Sequence, residues 1–203
     1  MKRASWLAAM LLLTAALAAG LRFWLAPAGP ELATPPTGGD FRLQSPVGPY
    51  ALADSRGKVV LLYFGYTYCP DICPTSLQTV AQALDGLSAD ERARVQVLFV
   101  SVDPERDTLE RLRDYAAFFA PEILPLGGTP QEIAAVAQRY GVYYARASGP
   151  EAGNSYVIDH GAFVYLVAPD GRLVASLPHG IEPGRMIEEI RQRLGTNPER
   201  KSS

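Results

Sequence analysis

Cys69 and Cys73 are the two cysteines of this 203-residue chain. They stand four positions apart in Tyr63-Phe64-Gly65-Tyr66-Thr67-Tyr68-Cys69-Pro70-Asp71-Ile72-Cys73-Pro74. Thiols so placed can close a disulfide, hold a soft metal ion or sit inert in a core. The three intervening residues differ from the two of the usual thioredoxin-type redox motif. On a regular helix such a pair has Cβ atoms about 5–6 Å apart, whereas a disulfide needs about 3.5–4.5 Å. A loop through Pro70 can bring the sulfurs closer, so oxidation stays open. The wider bite also suits two thiolates around a soft ion, for which Cu(I) is the first-row candidate. His160, in Asp159-His160-Gly161, offers a third donor, while His179, in Leu177-Pro178-His179-Gly180, reads as a solvated loop residue. Two cysteines and two histidines lack the paired spacings of a structural zinc site, and two cysteines are too few for a disulfide scaffold.

The elements that must position these groups follow from the apolar pattern. Residues 58–64 are continuously apolar after Lys58, as a strand covered on both faces requires. Pro74 can open a helix at its first position, with Leu77, Val80, Ala81, Leu84 and Leu87 at helical spacing. That start would put Cys73 at the N-cap and Cys69 in the loop before it. Both sulfurs would then face free N–H groups and the positive end of the helix dipole, which favours thiolate.

Further along, 95–102 reads as a second buried strand, Thr108 as the cap of a helix, and 123–126 as a short edge-like strand. Thr129-Pro130-Gln131-Glu132 is a capping box for a helix that Gly141 ends. Residues 142–145 are extended, 147–154 form a loop, 162–167 and 172–177 form a hairpin around Pro169-Asp170-Gly171, and a last helix starts at Pro183. At the front, 41–44 and 50–52 suggest another hairpin. If strand 162–167 runs antiparallel to 58–64, its start lies beside the other's end, which brings His160 to Cys69. This order predicts an α/β domain of thioredoxin-like fold with an N-terminal β-hairpin extension and an inserted βα unit. That fold commonly carries a cis-proline at the later strand's entrance. No proline lies between Glu151 and Ala168, which tells against a general oxidoreductase.

Composition narrows the function classes. With 48% hydrophobic and 20% charged residues, a packed core is expected. Lys2, Arg3 and Arg22 are three of the nineteen basic residues and precede every acid. The remainder therefore sets sixteen basic against twenty-one acidic residues, a balance of -5. An acidic domain has no basic face for phosphates, so nucleic acid is excluded as a partner.

Lys2-Arg3 followed by an uncharged run from Ala4 to Leu21 predicts a membrane anchor, while Ala16-Leu17-Ala18 would serve as a signal cleavage site. The expected location is a bacterial inner membrane, crossed once, with the domain facing the periplasm or outer side. The domain boundaries expected are an anchor or signal over 1–25, a Pro/Gly linker over 26–39, a thioredoxin-like domain over 40–195 and a polar tail over 196–203.

The cysteine stretch, then Val102-Asp103-Pro104-Glu105-Arg106-Asp107-Thr108, then Val157-Ile158-Asp159-His160 and Tyr165-Leu166, together resemble the Sco/SenC family of membrane-anchored, copper-binding assembly proteins of cytochrome c oxidase. The resemblance runs from about Phe41 to Leu194. It implies a thioredoxin-like fold and a copper site, Cu(I) with Cu(II) as the alternative state, made by Cys69, Cys73 and His160. It also implies cytochrome c oxidase subunit II as the partner, to which the protein delivers copper at the binuclear site. The alternative is a thiol:disulfide reductase in which Cys69 and Cys73 are the catalytic redox pair that keeps that site reduced. The family often has histidine before the first cysteine, where this chain has Tyr68, and Ser or Thr after the ligand histidine, where it has Gly161. A peroxide-reducing enzyme on the same fold finds no peroxide-activating pattern in the sequence.

Overall fold

The computed structural model describes residues 36–147 and 156–196. An antiparallel hairpin of β1 (Arg42–Ser45) and β2 (Gly48–Ala51) comes first. Then follow β3 (Val59–Gly65), α1 (Ile72–Asp85), a short α2 (Ala89–Ala93), β4 (Val95–Ser101), α3 (Leu109–Phe119), β5 (Ile123–Leu126) and α4 (Pro130–Tyr140). β6 (Tyr144–Ala147), β7 (Val157–His160), β8 (Phe163–Val167), β9 (Leu173–Pro178) and α5 (Pro183–Leu194) complete the order. The central sheet runs β5-β4-β3-β8-β9, with β3, β4 and β5 parallel and β8 and β9 antiparallel to their neighbours. This is the thioredoxin-like architecture with its front hairpin and inserted βα unit.

β3 is buried at every position, which explains its unbroken apolar run: helices or loops cover both its faces. Its pairing with β8, Tyr63 opposite Val164, sets the start of β8 beside the end of β3, as the sequence pattern requires. The Thr129–Glu132 capping box closes reciprocally, and Gly141 ends α4 at φ 65°, where a side chain would be strained. Thr108 caps α3 by accepting from the Arg111 N–H. Two short elements escape the sequence reading. α2 is five residues long and is fixed by a Ser88–Glu91 capping box. β7 has four residues, a length at which periodicity carries little signal.

Two expectations are corrected. Helix α1 begins at Ile72, so Asp71 is the N-cap and Pro74 is the third helical residue. Proline is tolerated there because the N–H groups of the whole first turn lack intrahelical partners. Cys73 therefore lies inside the helix. The second correction concerns the single-pass inner-membrane location. Among the described residues no helix is long and apolar enough to cross a membrane. The longest, α1, has 14 residues, or about 21 Å at 1.5 Å per residue, against a hydrocarbon core of about 30 Å. The location is withdrawn on that finding. The leader over 1–25 on which it rested, most of the 26–39 linker, the loop at 148–155 and the tail beyond 196 lie outside the described residues. The end of the linker is described and is pinned to the domain: Gly38 N–H donates to Arg139 O at 3.0 Å, and Tyr140 donates to Gly39 O at 3.1 Å.

Candidate metal centre

β3 delivers the chain to Gly65, where the backbone passes against the Cys73 sulfur. A Cβ built on Gly65 would lie 2.6 Å from that Sγ, so glycine is required there by close approach. The loop Tyr66–Asp71 then turns, with the Cys69 N–H donating to Tyr66 O at 3.3 Å, and feeds α1. Asp71 gives the helix no side-chain cap. Instead the Cys73 N–H donates to Cys69 Sγ at 3.4 Å, so a sulfur takes the capping role that an Asp oxygen usually fills.

The two thiols have opposite environments. Cys69 is half-buried and Cys73 fully buried. Cys69 is held far below the ordinary thiol range, first because the Cys73 thiol donates to it, and further by the N–H groups of Cys73 and Asp71. Cys73 is pushed up by the same coupling and by burial. The pair thus shares one proton, which Cys73 keeps and Cys69 releases. Burial also pushes up the phenol of Tyr63, whose buried hydroxyl has no hydrogen-bond partner among the described residues.

His160 ends β7, 87 residues after Cys73, with Nε2 3.3 Å from Cys73 Sγ. Its Nδ1 lies 3.2 Å from Gly161 O, and a carbonyl can only accept, so in the neutral ring Nδ1 carries the proton and the Nε2 lone pair faces the sulfur. The ring stands edge-on to Tyr66, with centroids 5.7 Å apart, and to Tyr63, at 6.4 Å. Cys69, Cys73 and His160 thus place one ligand atom each within 4.8 Å of one another, a set of two soft sulfurs and one imidazole that could hold a metal ion. The antiparallel β3–β8 register brings His160 to the cysteine pair, but the sulfur it faces most directly is that of Cys73 and not, as expected, that of Cys69. A cleft of about 260 Å³, walled by Tyr66, Pro70, Ile72, Val157 and Ile158, opens onto Cys69 and His160.

His179 is not one of the three clustered donors and bonds through Nδ1 to the buried Ser76 hydroxyl at 2.9 Å. The Asp71 side chain is exposed. Asp103 is buried and ion-paired to Arg106. Tyr68, next to Cys69, is 47% exposed and lies between two guanidiniums, Arg106 at 4.7 Å and Arg111 at 4.8 Å. Three positions acquire a role only from the structure. The Tyr66 hydroxyl accepts from the Ile158 N–H at 3.1 Å. Asp107 accepts from the Thr67 N–H at 3.1 Å and its hydroxyl at 2.6 Å. Tyr156 donates to Asp103 at 2.6 Å. The sequence signal for Asp107 was the cluster 103–107 at the end of a buried strand, which the topology places beside the loop after β3.

The chain is 34% identical over 158 residues to the yeast (Saccharomyces cerevisiae) protein described as "Protein SCO2, mitochondrial", covering 77% of this chain and 52% of that protein. It thus spans about half the length of that curated relative. Among solved structures, that of Arabidopsis thaliana ScoI with copper bound superposes with a TM-score of 0.71 at 33% identity, covering 78% of this chain and 98% of that one. That of Bradyrhizobium japonicum ScoI with copper bound gives 0.70 at 35% identity, covering 77% and 99%. The family model described as SCO1/SenC matches residues 30–195. With the fold, the cysteine loop and the distant histidine in the arrangement just described, the chain belongs to the SCO1/SenC family.

Proposed function

We propose that this protein is a copper-binding assembly factor for cytochrome c oxidase, with Cys69, Cys73 and His160 as the metal ligands. The observation that carries the reading is the convergence of two sulfurs and an imidazole within 4.8 Å from two separate parts of the chain. Two thiolates and one imidazole suit Cu(I), a soft ion that accepts three donors. Loading releases the proton the cysteine pair shares. Cys69 is the more open of the two sulfurs, so exchange with an incoming thiolate would start there and finish at buried Cys73. The recipient on this reading is the binuclear copper site of oxidase subunit II. The test is a competitive Cu(I) titration of the reduced protein beside His160→Ala. A weaker complex in the variant supports the ligand set, and equal affinity removes His160 from it.

A second reading has its own support in the unequal thiols. Cys69, half-exposed and poised as thiolate, has the character of an attacking nucleophile, and buried Cys73 that of a resolving thiol. Cys69 S⁻ would attack one sulfur of a partner disulfide and displace the other as thiolate. Cys73, losing its proton, would then attack Cys69 Sγ and release the second partner thiol. Two electrons pass to the partner, and a Cys69–Cys73 disulfide remains. Cys73→Ser should trap the mixed disulfide with oxidised subunit II. Absence of any adduct, with copper transfer intact, rejects this reading.

A further inference from the structure

The strand that carries His160 is not part of the central sheet. β7 pairs with β6 in a separate two-stranded sheet. Such a pair is marginal by itself, so groups elsewhere must fix where His160 stands relative to the sulfurs. The loop between β4 and α3 supplies them. Arg106 Nη1 donates to Tyr156 O at 2.8 Å, just ahead of β7. Its guanidinium lies 3.6 Å over the Tyr156 ring on the histidine side. On the cysteine side it lies 4.7 Å from the ring of Tyr68 and 5.8 Å from that of Tyr66. Nε is ion-paired to Asp103, which is 1% exposed and whose other oxygen takes the Tyr156 hydroxyl. The same loop is anchored under the cysteine segment by Asp107, through Thr67. It is also tied to β6 by an ion pair between Glu105 and Arg146.

We infer that Arg106 is a positioning residue of the metal centre. It touches none of the three ligands, yet it bridges the cysteine loop and the histidine strand and sets the distance from His160 to the sulfurs. The planar fork matters more than the charge. A guanidinium can bond Asp103 and Tyr156 O at once while stacking on two phenol rings, and an ammonium cannot. The inference rests on the copper reading only for its metal readout.

The decisive variant is Arg106→Lys in the full chain, because it keeps a charge opposite buried Asp103, which Arg106→Gln would leave unpaired. In the reduced, metal-free protein, proton–proton cross-relaxation between the His160 and Tyr66 rings should be lost in Arg106→Lys, with the amide spectrum of the central sheet unchanged. Cu(I) affinity should fall about tenfold, the scale of a lost supporting contact around a ligand. In the His160→Ala background the same substitution should change affinity by less than about twofold, because the arm it positions no longer ligates. An unchanged His160–Tyr66 contact overturns the inference, as does an equal loss of affinity with and without His160. If the parent protein binds no Cu(I), the copper reading fails, and the metal-free contact still decides the role of Arg106.

Discussion

Replacing Gly65 with alanine tests the packing of the centre at its tightest point. The new Cβ would stand 2.6 Å from Cys73 Sγ, 3.0 Å from Phe99 Cε2 and 3.1 Å from Tyr63 Cε1. Non-bonded carbons settle at about 3.5–4.0 Å, so about 1 Å of overlap with the sulfur has to be relieved. Phe99 and Tyr63 are fully buried and stacked on each other, with ring centroids 6.2 Å apart, which leaves the Cys73 side chain as the atom group to move. Overpacking a filled core costs about 1–3 kcal/mol, which outweighs the roughly 0.4–1 kcal/mol gained from a stiffer unfolded chain. A functional constellation tolerates about 0.5 Å of error, so a sulfur displaced by twice that no longer meets His160. Urea denaturation of the reduced, metal-free variant should show a net loss of about 1–2 kcal/mol. A Cu(I) titration of the same sample should show affinity at least about tenfold lower. A variant within about 0.5 kcal/mol of the parent that binds copper equally well would refute the claim that Gly65 exists to admit the sulfur.

Asp107→Ala strips the buried acceptor from the Thr67 N–H, the Thr67 hydroxyl and the Ser101 hydroxyl. At about 1–3 kcal/mol per stranded donor, with Thr67 able to rotate its hydroxyl away, denaturation should register a loss of about 3 kcal/mol; a loss below about 1 kcal/mol rejects the anchoring role. Because Cys69 is held down chiefly by the Cys73 thiol, its alkylation by iodoacetamide should stay nearly level between about pH 8 and pH 6, where an ordinary thiol slows about tenfold per unit. Cys73→Ala should restore the steep profile, and a steep profile in the parent would contradict the shared-proton account. The Arg191 guanidinium holds the Glu91 carboxyl down at about 2, below its ordinary 4.5. A depressed carboxyl contributes stability that is present above its ordinary value and lost as pH falls toward the folded one. With Arg191 partly solvated the contribution is no more than about 1 kcal/mol. Denaturation of the parent and Glu91→Gln should therefore converge as pH drops from about 6 to about 3, and parallel curves over that range argue against it.

Much of the architecture was legible because its causes are local. The run over 58–64 could only be a strand buried on both faces, and Thr129-Pro130-Gln131-Glu132 could only start a helix, since each pattern satisfies its own backbone and buries its own side chains. The start of α1 was misplaced by two residues because proline fits the first and the third helical positions for the same reason, the absence of an intrahelical partner for either N–H. The capping sulfur explains the early start: Cys69 meets the Cys73 N–H only when the helix opens at Ile72.

The sequence by itself determined the thiol pair. Cys69 and Cys73 are four residues apart at a loop–helix junction, so their proximity and the pull of Cys69 toward thiolate are short-range consequences of the chain, whereas burial and the coupling to Cys69 hold the proton on Cys73, against the expectation that both sulfurs favour thiolate. The third donor was different. His160 was named by its motif, but its distance from the sulfurs is set across 87 residues by the β3–β8 register, the Tyr66 hydroxyl on Ile158 and the Arg106–Asp103–Tyr156 contacts. The Tyr66–Ile158 and Arg106–Asp103–Tyr156 contacts join segments that share no hydrogen-bonded ladder, and no local pattern encodes them. Tertiary packing therefore decided that two thiols and an imidazole meet at one point.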